Sequence, residues 1–138
     1  MKCFITSILL LISGVINSQV ITVKFDTIQW FQHPSNISTP KARLTNNITY
    51  GSLMKCFKTT ELTFDLDNMI ERYNGFNNII TKKYNSTNLI DVQVNEGGRI
   101  GLCILGKTED NNMIYLFETI KGDIVEGYFA INPVIIFE

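Results

Sequence analysis

The sequence predicts a mainly β fold: an antiparallel β-sandwich or barrel-like sheet with one amphipathic helix inserted. The alternative is an α+β sheet wrapped on a helix. Three observations carry this. Apolar and polar residues alternate from Ile21 onward. A series of short apolar segments, each bounded by turn residues, runs from Leu89 to Phe137. Several of those segments are apolar on both faces, so a single open sheet with one wet face does not accommodate them.

Ile21, Val23 and Phe25 alternate with Thr22, Lys24 and Asp26, as in a half-buried strand. Ile28 and Trp30 continue the alternation in the opposite phase, which a bulge near Asp26 reconciles. His33 to Pro40 reads as a loop, with two prolines and two serines. Ala42 to Tyr50 follows as a second strand, and Gly51-Ser52 as a turn. Leu53 to Phe57 and Leu62 to Leu66 are short strands.

Between Asp65 and Tyr84 the period changes. Leu66, Met69, Ile70, Tyr73, Phe76, Ile79 and Ile80 recur at spacings of three and four, the pattern of one helix face. Asp65 or Asp67 serves as its N-cap, and Lys82 and Lys83 suit its C-terminal dipole. Gly75 weakens the middle by about 1 kcal/mol. Beyond Asn85 the chain reads as a five-stranded meander: Leu89–Val94, Arg99–Leu105, Met113–Ile120, Ile124–Ile131 and Val134–Phe137. Its first turn is Asn95-Glu96-Gly97-Gly98, a glycine hairpin signal.

Residues 1–18 form a secretory signal on this reading. Lys2 gives a positive start, Phe4 to Ile12 an apolar core, and Ser18 a small residue before the cut. Residues 19–138 are then a single secreted β-rich domain with no further membrane span. Asn36, Asn47 and Asn85 each begin an acceptor triplet for N-glycosylation, which fits an extracellular glycoprotein. Cys3 leaves with the signal, and in an oxidising compartment Cys56 and Cys103 are expected to pair. The bridge would close a loop of about 47 residues and contribute roughly 4 kcal/mol by loop entropy.

Twelve basic against thirteen acidic residues, a net charge of −1, exclude a basic nucleic-acid binder as the default. No motif implies a cofactor. The acidic stretch Asp65, Asp67, Asn68 and Glu71 lacks calcium-loop spacing, and Asp at a helix start already has a capping role. His33 is the chain's one histidine, so neither a His metal cluster nor a nucleophile–His arrangement is supported. Asp123 and Glu126 near one turn are the carboxylates considered for a small hydrolase. Trp30 and Phe31, next to His33, are the weak candidates for ligand binding, since neighbours on a strand face opposite ways and one of the two rings could anchor a partner.

The functional expectation is a secreted, non-enzymatic glycoprotein binding module that docks on a protein or glycan partner. An extracellular carrier of a small apolar ligand is the first alternative, and a carboxylate-dependent hydrolase the second.

Overall fold

A computed structural model describes residues 20–34 and 49–138. The signal, the acceptors Asn36 and Asn47, and most of the predicted strand from Ala42 lie outside the described residues. Nine strands follow in chain order: β1 Val20–Pro34, β2 Thr49–Asp65, β3 Ile70–Tyr73, β4 Phe76–Lys83, β5 Ile90–Glu96, β6 Arg99–Lys107, β7 Met113–Lys121, β8 Ile124–Ala130 and β9 Val134–Phe137. Each of the first seven pairs antiparallel with the next, and β1 pairs with both β2 and β8. The result is a closed, eight-stranded up-and-down barrel, which removes most of the open edges that an isolated sheet exposes. β9 occupies the N-terminal part of the same β1 edge, pairing Ile21–Lys24, while β8 takes Ile28–Pro34.

Four of the five meander strands lie where the alternation puts them, while β9 leaves β8 and pairs with β1. The phase change in β1 is a register shift between Phe25 and Thr27. It keeps Val23 and Phe25 on the same inner face as Ile28 and Trp30.

The helix does not form. Its predicted residues fold as the end of β2, a turn, and the hairpin β3–β4. The cause is local. Asn74 and Gly75 both adopt left-handed backbone, φ 50° and 78°, the geometry of a two-residue hairpin turn that Asn-Gly favours. Tyr73 and Phe76 then pair directly across it. The helix-like spacing comes from two strands of period two whose apolar residues occupy opposite faces: Ile70 pairs with Ile79 outside, and Ile80 turns inward.

The predicted Cys56–Cys103 bridge is also absent. Both thiols are free. β2 and β6 are four strands apart in either direction round the barrel, so the two cysteines stand on opposite walls. Cys103 is fully buried and Cys56 half-buried.

The core fills the barrel. Val23, Phe25, Phe64, Val92, Val94, Leu105 and Tyr115 lie in one buried cluster, and full burial of such side chains contributes about 1.5–3 kcal/mol each. The aromatic rings stack across it, Phe25 to Tyr115 at 5.8 Å and Phe64 to Tyr115 at 6.1 Å between centroids. A second cluster, Phe31, Ile104, Leu116 and Phe129, lies on the outer face of β1, β6, β7 and β8. It accounts for the strands that are apolar on both sides.

Candidate functional site

Register assigns the two aromatic candidates to different places. Trp30 is opposite Tyr128 and points inward, its ring edge-on to Tyr128 at 5.9 Å. Phe31 points outward and is buried against Phe129 at 4.7 Å. His33 lies on that outer face too, stacked on Phe31 at 6.1 Å. Its Nδ1 is 2.8 Å from the Pro34 carbonyl oxygen and its Nε2 is 3.6 Å from Glu118 Oε2. His33 therefore serves the packing of the outer cluster, and Trp30 alone of the three reaches the interior.

The inner face differs between the two ends. At the end where β1 and β2 begin and finish, respectively, inner residues are sealed. At the other end, inner-facing residues stay open to solvent: Trp30 is 40% exposed, Met54 49% and Phe76 71%. An inner-face side chain in contact with water lines a mouth. Short β3 and β4 leave this end open, because β2 meets β3 only over Leu62–Asp65.

Below the aromatic rim lies a polar group. Glu71, 0% exposed, is on β3 opposite Phe64 and Asn78. A buried carboxylate is tolerated only when hydrogen-bonded. Asn78 Nδ2 donates to Glu71 Oε1 at 3.1 Å, and Cys103 Sγ donates to Oε2 at 3.5 Å. Glu96, at the end of β5, hydrogen-bonds the same carboxyl group. Burial first, then the hydrogen bond and charge of Glu71, push Glu96 up to about 7, with exposed Arg99 opposing. A second carboxyl group this close favours the protonated form of Glu96.

Tyr115 and Tyr128 close the floor and wall. Burial raises both phenols, and their fields are coupled to Cys103 and Glu71. Burial likewise raises the Cys103 thiol well above its usual value, with Glu71 adding to the effect, so it is no nucleophile. The Tyr115 hydroxyl is fully buried beside Cys103.

The other predicted site residues are not brought together. Asp123 is exposed in the β7–β8 turn, and Glu126 pairs with Lys121 Nζ at 3.2 Å. Asp65 receives the Asn68 backbone and side-chain donors at 3.1 and 2.9 Å, so it holds a turn. These bonds keep its carboxyl below the usual range. Among the described residues no three metal-ligating side chains gather. Asn85 is exposed in the β4–β5 connection, at the end of the barrel away from the mouth.

Sequence reading missed Glu71 and Glu96 as a pair. The available signal was a glutamate at an inner position of a strand, which is informative where an exposed one is not. It became readable only with Asn74-Gly75 taken as a hairpin turn. Comparison with protein-family models, curated sequences and solved structures returns no significant match.

Proposed function

We propose that this chain is an extracellular, non-enzymatic binding protein that takes a small ligand in the mouth of the barrel. The observation that carries the reading is the combination at one end of the interior: exposed inner aromatics Trp30, Tyr73 and Phe76 above the buried Glu71–Glu96 pair. Eight-stranded barrels have an interior just wide enough for side chains to fill or for one small ligand to enter. Here the lower interior is filled, so a ligand occupies only the upper part. An apolar wall with a few convergent polar groups is the usual make-up of a ligand pocket. Asn85 leaves the mouth clear of any glycan it carries.

Native mass spectrometry of the protein secreted by eukaryotic cells, before and after denaturing extraction, tests this. A retained small molecule that leaves on denaturation, and whose return quenches Trp30 fluorescence, is expected. A ligand whose return leaves Trp30, the chain's one tryptophan, unperturbed would place binding elsewhere.

A second reading, docking on a protein partner, has its own support. β2 from Leu53 to Lys55 pairs on one edge with β1, Cys56 to Lys58 lie in the register shift that follows, and among the described residues nothing pairs with the other edge of this stretch. Leu53 is exposed and Phe57 fully so. A long apolar edge of this kind is a template for strand addition. Phe57→Asp is expected to change stability by less than about 0.5 kcal/mol, as for an exposed side chain, yet to remove any partner recovered by cross-linking. Unchanged recovery would end the docking reading and leave the small-ligand reading untouched.

A further inference from the structure

Resting on the reading that β2 docks a protein partner, we infer that the partner supplies an extended segment of acidic and apolar residues, which adds to the sheet antiparallel to β2 along Leu53–Lys58.

The topology leaves a place for one strand. β3 runs antiparallel to β2 from Asp65 as far as Leu62, and Asn74-Gly75 then turns the chain away. Along the line that a longer β3 would follow, no described residue pairs with Leu53–Lys58. Leu53, Met54 and Phe57 are all exposed there. Every pairing in this sheet is antiparallel, and the antiparallel ladder is the more stable per residue.

Charge decides what fills the place. From Thr49 to Thr60 β2 carries Lys55 and Lys58 and no acid. Both lysines are exposed, and among the described residues neither joins an ion pair. The nearest acids are engaged elsewhere. Glu61 is held by Lys24 at 3.7 Å, and Asp26, across the register shift, accepts from the Thr27 hydroxyl at 3.0 Å. A second copy of this chain is a poor occupant, because pairing two β2 edges about a two-fold axis would bring four lysines together with no acid among them. A strand with acids opposite the lysines gains a cross-strand attraction instead.

Register gives the pattern of the incoming strand. Lys55 and Leu53 are opposite Thr27 and Gln29 on one face, and Met54 is opposite Ile28 on the other. An antiparallel partner therefore reads acid, apolar, apolar where it passes Lys55, Met54 and Leu53. Lys58, within the shift, adds attraction for a further acid without a fixed position opposite it.

The test is fluorescence anisotropy with the secreted full chain at pH 7.5 and three labelled peptides. They are Glu-Val-Thr-Glu-Val-Ile-Thr, its counterpart with both Glu replaced by Lys, and the acidic peptide N-methylated at alternate residues. The acidic peptide is expected to bind about tenfold more tightly than the basic one. The N-methylated form keeps the charge but not the donors of a ladder, and should not bind. The double variant Lys55→Glu, Lys58→Glu changes two exposed side chains, so its thermal melt should match the parent's while the preference between the acidic and basic peptides reverses. Equal binding of the acidic and basic peptides overturns the acidic class and leaves the docking reading standing. Equal binding of the N-methylated peptide overturns strand addition. Sedimentation velocity showing a dimer that Phe57→Asp dissociates would assign the edge to a second copy and overturn the inference. No binding of any peptide up to millimolar concentration overturns it too, and the docking reading is then decided separately by cross-linking with Phe57→Asp.

Discussion

Gly127→Val is expected to abolish the native fold or to destabilise it by at least about 3 kcal/mol, the upper end of overpacking costs. Gly127 is buried on β8 opposite Glu118 of β7. A Cβ built there lands on the Phe117 carbonyl oxygen, 2.8 Å from Glu118 Cα and 3.0 Å from Glu118 Cβ. The first two of these are main-chain atoms, so no rotamer change relieves the overlap. The two strands would have to separate, and their ladder from Tyr115↔Ala130 to Lys121↔Ile124 holds Tyr128 in the mouth. Against a total stability of about 5–15 kcal/mol, a loss of that size removes much of the native population. Gly101→Ala is the informative contrast. There the new Cβ meets the Phe117 ring, the far end of a side chain that can swing, so a loss nearer 1–2 kcal/mol is expected. Thermal melts followed by circular dichroism rank the two. Equal melting temperatures for Gly127→Val and the parent chain would show that β7 and β8 do not approach this closely.

The parts of the fold that were legible in the sequence are those where period two is uninterrupted. β5 to β9 each follow a polar or glycine turn, and their alternation fixes both faces. The bulge near Asp26 was legible for the same reason, since Ile28 and Trp30 continue in shifted phase. The β3–β4 hairpin was not, because an apolar period of three and four arises equally from one helix face or from two strands using opposite faces. Asn74-Gly75 was the discriminating signal, and its turn chemistry outweighed periodicity. The disulfide failed for a topological reason: sequence spacing gives loop length but not which strands become neighbours, and β2 and β6 end on opposite walls. The candidate site was legible only at Trp30. Glu71 and Glu96 are 25 residues apart and meet across β4 through the register of β3–β4 and β4–β5, which sequence spacing alone does not give.

The carboxyl pair also gives the protein an expected pH dependence. Glu96 is raised from 4.5 to about 7 by burial and by Glu71. In that interval the folded chain holds a proton that the unfolded chain has released. Stability from this group is therefore fully present below pH 4.5 and is lost as pH rises through about 7. Glu96 is only half-buried, so solvent screening reduces the effect to roughly 1–2 kcal/mol, a fall of several degrees in Tm. Asp65 works in the opposite direction: its lowered carboxyl contributes stability above the usual carboxylate range that is lost as pH falls. The melting temperature should accordingly peak in mildly acidic solution and decline toward pH 8. Glu96→Gln cannot release the proton and should flatten the decline while leaving the acid side unchanged. Arg99→Ala removes the one opposing charge and should move the midpoint of the decline to higher pH. Calorimetric melts of the three chains between pH 4 and 8 measure this directly. A wild-type Tm that rises through pH 7, or a Glu96→Gln curve parallel to it, would mean that the Glu71–Glu96 contact does not exist in solution.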